Sequence, residues 1–242
     1  MRKIMSRKVV VSLLMALLFI VPLMFLATAC GESDSKVAKV STYAELVEAL
    51  EGDKQTIRLE KDIMDFDKSI EICRAVTVDL NGKTLKGNGC DGVFHVYIHG
   101  NLTIEGKGNV IAKGGFDASG KEYAMAIWVE GGKVTINGGK FSQVTINGDE
   151  QYDLIYANDI KNSTNTPAEI TILSGEFESV SPEWTLNIKD RNESKIIVKG
   201  GVFKGFNPAN CATEGPNTNF VAEGYESVLI KGTTNYKVVK KA

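Results

Sequence analysis

Five stretches of the chain repeat one pattern of apolar and polar positions: a short β-branched strand, in four of them a glycine turn, and in the last three a further apolar residue. They are Val76-Thr77-Val78, Leu102-Thr103-Ile104-Glu105-Gly106, Val134-Thr135-Ile136-Asn137-Gly138-Gly139-Lys140-Phe141, Ile170-Thr171-Ile172-Leu173-Ser174-Gly175-Glu176-Phe177 and Ile196-Ile197-Val198-Lys199-Gly200-Gly201-Val202-Phe203. Their first residues lie 26, 32, 36 and 26 positions apart, and in the last three a phenylalanine falls seven residues after the first apolar one. A second set of runs precedes the later repeats: residues 93–98, 124–129, 154–157 and 184–188. In the first of these Phe94, Val96 and Ile98 share one face, and His95, Tyr97 and His99 share the other. That is the period of two expected of a strand with one buried side.

A conserved pattern at unequal spacing predicts strands stacked turn upon turn, with loops of variable length inserted between them. Each repeat has too few apolar residues to bury them alone, and stacking supplies a continuous core. The expected fold is therefore all-β, a right-handed parallel β-helix solenoid with a short N-terminal capping α-helix. A β-sandwich is the rival, but it favours hairpin dipeptides between longer alternating strands. The cap is read from Thr42-Tyr43-Ala44-Glu45, which has capping-box form, and from Tyr43, Leu46, Val47 and Leu50 on one helical face before Gly52. The expected organisation is a signal at 1–29, a polar tether at 30–40, the cap helix at 41–52, coils at 53–206 and a C-terminal cap with a last strand pair at 207–242.

The N-terminus changes the picture from a fold to a location. Arg2, Lys3, Arg7 and Lys8 precede an apolar run from Val9 to Phe25, which ends in Ala27-Thr28-Ala29. This is the charged, apolar, small-residue layout of a secretory signal. Leu26-Ala27-Thr28-Ala29-Cys30 resembles a bacterial lipobox, although Ala27 stands where that motif usually has leucine. The resemblance implies a lipid on Cys30 and a protein held on the extracytoplasmic side of the cell membrane. Acyl chains at ~0.8 kcal/mol per buried methylene suffice for stable anchoring when more than one is attached. Ala-x-Ala also suits the ordinary signal peptidase, which would release a soluble protein.

Charge and cysteine content then exclude partners. Four of the 28 basic residues belong to the signal, which leaves 24 against 30 acids in the rest of the chain. A mildly acidic surface with no basic block argues against nucleic acid. Beyond the signal, no apolar run is long enough to span a bilayer as a helix. Cys73, Cys90 and Cys211 remain beside Cys30, and a Cys73–Cys90 bridge between neighbouring coils is left open by their spacing. No His/Cys spacing suggests a metal centre. The acidic stretch Asp149-Glu150-Gln151-Tyr152-Asp153, with Asp159, is read as a solvated loop in preference to a calcium site.

The cap helix, the turn Asp79-Leu80-Asn81-Gly82-Lys83-Thr84-Leu85 and the recurring Gly-Gly-x-Phe resemble the right-handed β-helix, or pectate-lyase-like, superfamily over residues 41–242. The stretch from Gly200 to Tyr225 is similar to the end of uncharacterised proteins of gut bacteria and their phages. The superfamily includes lyases, hydrolases, esterases, adhesins and phage spikes, so the resemblance implies a fold and not an activity. Its pectate lyases use an acid cluster for calcium and an arginine base, and its hydrolases use three aspartates and a histidine. Neither set maps here, since arginine beyond the signal occurs only at 58, 74 and 191. No catalytic residue and no cofactor is assigned.

A binding face is assigned instead. Aligning Met125, Ile127 and Val129 under Phe94, Val96 and Ile98 sets Tyr97 over Trp128 and His99 over Glu130. Coils ~4.8 Å apart would then gather His95, Tyr97, His99, Trp128 and Glu130 into one outward strip. Aromatic faces beside polar groups suit a sugar ring. The plainer alternative is that an inserted loop, residues 115–122 or 158–168, covers Trp128. Two functions follow: non-catalytic binding of a glycan or other surface macromolecule, and a polysaccharide lyase or glycoside hydrolase working on the same face.

Overall fold

Short runs of valine, isoleucine and threonine separated by glycine and asparagine favour extended backbone with sharp corners, because β-branched side chains suit a pleated surface. In the computed structural model these runs become strands joined mainly in parallel. The structure describes residues 36–144, 152–161, 165–191 and 193–242, and Ala38–Ala242 form one compact unit. The fold is all-β apart from one α-helix and short 3-10 turns among the described residues. The segment read as a signal and Cys30 lie outside the described residues, as do positions 149–151 of the acidic stretch.

One sheet has twelve strands. Its core-forming members are β2 (Thr56–Leu59), β3 (Ile63–Phe66), β5 (Ala75–Asp79), β6 (Thr84–Asn88), β8 (Asn101–Lys113), β12 (Lys133–Val144), β14 (Glu169–Glu178), β16 (Lys195–Val198) and β17 (Val202–Phe203). Parallel pairing sets Val78, Ile104, Ile136, Ile172 and Val198 in one buried column. A second column holds Ile63, Leu85, Val110, Phe141, Phe177 and Phe203. The three phenylalanines stack as their common offset in the sequence implies, with ring centroids 5.2 and 4.8 Å apart.

The other main sheet has five strands in the order β4 (Ile70–Ile72), β7 (Phe94–Val96), β11 (Ile127–Glu130), β13 (Ile155–Asn158) and β15 (Leu186–Ile188), all parallel. Ile70, Phe94, Ile127, Ile155 and Leu186 form its inward column and are all buried. A small antiparallel hairpin, β9 (Gly115–Phe116) with β10 (Glu122–Tyr123), is inserted between β8 and β11. At the C-terminal end β18 (Tyr225–Leu229) and β19 (Tyr236–Lys240) form an antiparallel pair, and β19 also pairs antiparallel with β17.

The long strands bend at glycine. Gly138 of β12 has φ +132, and a Cβ there would sit 2.6 Å from the Gly106 carbonyl oxygen on β8. A side chain is therefore excluded both by the dihedral and by the neighbouring backbone.

Helix α1 (Tyr43–Glu51) follows β1 (Val37–Val40). Thr42 Oγ1 accepts from the Glu45 N–H at 3.2 Å, as a capping box requires, but Glu45 Oε2 accepts from the Ser41 N–H, one residue before the expected one. Leu46 is fully buried, and Tyr43 stacks on Phe66 with centroids 4.9 Å apart. The Arg74 guanidinium donates to the Leu50 and Ala49 carbonyls at 2.7 and 3.0 Å. A cation at the helix C-terminus satisfies two carbonyls that have no intrahelical partner and complements the helix dipole.

Candidate functional site

Side chains that alternate outward from the five-stranded sheet meet across strands. The register sets Glu71, His95, Trp128, Tyr156 and Asn187 in one outward column. The expected pairing of Tyr97 with Trp128 is thus corrected by two residues: Trp128 lies beside His95. A slip of one residue would turn each side chain to the opposite face, but a slip of two preserves inside and outside. The apolar alternation of residues 124–129 fits both registers equally, and only the backbone pairing chooses.

The result is an aromatic ladder. The His95 and Trp128 rings stack with centroids 4.3 Å apart and planes 10° apart, and Tyr97 closes on His95 at 3.9 Å. Tyr156 meets Trp128 at 6.3 Å in a tilted arrangement. His95 is consequently buried although it faces away from the core. Its Nε2 lies 3.4 Å from Glu130 Oε2 without the alignment of a hydrogen bond. Burial holds the His95 pKa below its ordinary value, against the pull of the Glu130 and Asp91 carboxylates. The neutral ring is therefore favoured as part of the ladder.

Four of the five expected residues come together: His95, Tyr97, Trp128 and Glu130. His99 does not belong to a strand. The chain turns at Tyr97–Gly100, with the Gly100 N–H bonded to the Tyr97 carbonyl at 2.8 Å and His99 at φ +72. A glycine directly after the histidine carries this turn chemistry, which strand alternation overrode in the reading of the sequence. His99 is exposed beside a separate shallow depression that Gly131, Lys133 and Thr166 also border.

A cavity of about 720 Å³ opens along one side of the ladder. Trp128 and Tyr156 form part of its wall, with Trp184, Asp153, Asn187 and Lys189 beyond them. The β9–β10 hairpin borders the cavity through Asp117, Lys121 and Tyr123. The inserted segment thus flanks Trp128, whose side chain remains partly exposed. Asp117 shapes the hairpin tip: its Oδ1 accepts from the Ser119 N–H and hydroxyl and from the Lys121 N–H, at 2.8, 2.7 and 2.9 Å. The Tyr152 hydroxyl, donating to Glu122 Oε2 at 2.6 Å, ties the hairpin to the segment that leads into β13.

Asp153 is the residue that sequence reasoning missed as part of this site. Gln143 Nε2 donates to the carbonyls of Ala124 and Asp153 at 2.8 and 2.9 Å, which fixes the backbone there. The Asp153 carboxylate accepts from Asn187 Nδ2 at 2.9 Å. Burial pushes this carboxyl up to about 7, aided by Glu214 and opposed by Asn187 and Lys121. Burial likewise raises the Tyr156 phenol to about 12. Trp184 was expected to open a strand, but Pro182–Trp184 form a single 3-10 turn that brings the indole to the cavity. The indole N–H groups of Trp128 and Trp184 are sealed from water and have no hydrogen-bond partner among the described residues.

Cys73, Cys90 and Cys211 are free thiols, so the bridge left open by the sequence is not formed. Burial pushes the Cys90 thiol up to about 11, with Asp91 and Asp117 adding to it. Among the described residues no group of three or more His, Cys, Asp or Glu is arranged to hold a metal ion. No helix among them is long and apolar enough to cross a membrane. Compared with protein-family models, with curated proteins and with solved structures, the chain finds no significant match.

Proposed function

We propose that the chain is an exported, lipid-anchored, right-handed parallel β-helix protein whose outward face binds a glycan without turning it over. The parallel register of repeated strands in two sheets, with stacked apolar columns between, supports the β-helix reading and its pectate-lyase-like affinity. Right-handed crossovers are the rule for parallel strands in one sheet. The charged, apolar and small-residue layout before Cys30 supports export and anchoring. The observation that carries the binding function is the ladder Tyr97–His95–Trp128–Tyr156, aromatic rings from three neighbouring strands beside a polar cavity. Aromatic faces of this kind contact the C–H faces of a pyranose, while neighbouring polar groups meet its hydroxyls.

The binding test is a glycan panel probed with the detergent-solubilised chain. Trp128→Ala and Tyr97→Ala are each expected to weaken retention roughly tenfold, about 1.4 kcal/mol, with the circular dichroism spectrum unchanged. Retention insensitive to both changes would remove the ladder from the site. The anchor has its own test. Detergent-phase partition of the protein is expected to be lost in Cys30→Ser, and a wild type found in the aqueous phase would end that part of the proposal.

A second reading is favoured by Asp153. A carboxylic acid still protonated near neutral pH is what a general acid requires, so a glycoside hydrolase or lyase on this face is the competing function. New reducing ends or unsaturated uronate products on the same panel, abolished in Asp153→Asn, would replace binding by catalysis.

A further inference from the structure

We propose that the cavity beside the ladder is a subsite for a short stretch of uncharged hexose chain, held between the indoles of Trp128 and Trp184 and read through its hydroxyls by the Asp153–Asn187 pair. This rests on the glycan-binding reading and adds to it a place, a ligand class and a set of contacts. The cavity, about 720 Å³, lies within the range of roughly 300–1,000 Å³ common to small-molecule sites. Its wall combines the two features that sugar recognition needs, flat apolar rings and convergent polar groups.

Trp128 and Trp184 come from different elements, one from β11 and one from the 3-10 turn before β15, yet line the same cavity. Both indoles are partly exposed, so each has ring surface to offer a ligand. Asp153 and Asn187 present a matched pair. One bond, Asn187 Nδ2 to Asp153 Oδ1 at 2.9 Å, joins them and leaves the second carboxyl oxygen and the amide oxygen for a ligand. A carboxyl that keeps its proton near neutral pH offers a donor beside the amide acceptor, which suits two adjacent hydroxyls.

The surrounding charges choose the ligand class. Asp91, Asp117 and Asp190 line the cavity against Lys121 and Lys189. Three aspartates face two lysines, so the lining leans acidic, and Asp117 is held below the usual carboxylate range by its bond to Ser119. A uronate or phosphate-bearing chain would meet like charge there, and an uncharged one would not.

The chain has two tryptophans, Trp128 and Trp184, and both line the cavity, so its tryptophan emission is a local reporter. The full chain in detergent is titrated with cellohexaose, maltohexaose, laminarihexaose and mannohexaose, and with hexagalacturonate as the charged comparison. Each is also tested for retention by the immobilised protein. In Trp128→Phe only Trp184 reports, away from the ladder's stacked pair. A neutral hexasaccharide is expected to shift that emission to the blue and to reduce its quenching by acrylamide at least twofold. Asn187→Ala is expected to weaken the binding about tenfold, and Asn187→Gln less. Retention of a neutral hexasaccharide with Trp184 emission unchanged would overturn the cavity subsite and leave the glycan reading intact on the ladder. Tighter binding of hexagalacturonate than of every neutral chain would overturn the ligand class. Retention of none of them, here or on the full panel, would overturn both readings. The wild-type titration and the Trp184 signal decide the matter even where the Asn187 variants do not fold.

Discussion

Phe177→Ala is expected to lower the folding free energy by about 3–5 kcal/mol, the range for emptying an aromatic site in a packed core. Phe177 is fully buried and lies between Phe141 and Phe203, with both neighbouring rings within 12° of its plane. Those neighbours belong to strands paired with β14 on either side, at Phe141↔Phe177 and Phe177↔Phe203. Each backbone is held in its sheet, so the two flanking rings cannot close over the gap without breaking register. The hole would be walled by two aromatic faces and would stay dry, losing dispersion contacts on both sides. Urea denaturation should show a lower midpoint with an unchanged slope. For a chain of this size that loss corresponds to a fall in melting temperature on the order of 10 °C. Phe177→Leu keeps most of the volume and should cost under about 1.5 kcal/mol. An alanine variant within about 1 kcal/mol of the parent would mean that the column is not a packed core.

The phenylalanine column and the candidate site were legible in the sequence to different degrees, for a physical reason. Phe141, Phe177 and Phe203 recur at one offset because each closes the same turn of backbone against the one before. Parallel stacking thus writes its contacts into the spacing. The inward residues Phe94, Ile127 and Ile155 were legible too, since burial on one face forces alternation. The outward partners were not. Whether Trp128 meets Tyr97 or His95 depends on how much of the segment between Lys113 and Ile127 is spent in the β9–β10 hairpin. Apolar periodicity carries no record of that length. His99 was misplaced because alternation was extended one turn too far, through a histidine that adopts φ +72 before Gly100.

The cavity depends on separations that no local pattern encodes. Asp153 and Asn187 are 34 residues apart, and Tyr152 reaches back 30 residues to Glu122 to fix the hairpin. An Asp two residues before a strand reads as a solvated loop end when only its neighbours in sequence are considered. It becomes a half-buried carboxyl only after β15, bearing Asn187, and the C-terminal segment bearing Glu214 have packed beside it.

Asp153→Asn is expected to stabilise the protein at pH 8 while changing little at pH 4. Burial raises the folded-state pKa of Asp153 from an ordinary 3.8 to about 7. Below the ordinary value the carboxyl is protonated in both states and costs nothing. Between roughly pH 4 and 7 the unfolded chain gives up the proton and the folded one keeps it, so stability falls as pH rises through this window. Above 7 both are ionised and the full cost of the desolvated charge is present, on the order of 4 kcal/mol. Asparagine has nearly the same shape and retains an oxygen for the Asn187 amide, so the variant keeps the bond and loses the charge. The groups around the carboxyl are Asn187 on β15, Glu214 in the C-terminal segment, Lys121 on the hairpin side and Tyr156 on β13. Of these Glu214 raises the pKa with burial, and Lys121 and Asn187 lower it. His95 contributes the opposite slope, since its depressed pKa makes the fold lose stability as pH falls below its ordinary 6.5. Subtracting the parent curve from that of the variant at each pH removes the His95 contribution and leaves Asp153 alone. The difference should grow from near zero at pH 4 to a plateau above pH 7, measured as urea midpoints across that range. A difference that is flat from pH 4 to 8 would place Asp153 in contact with water and take from the cavity its protonated carboxyl.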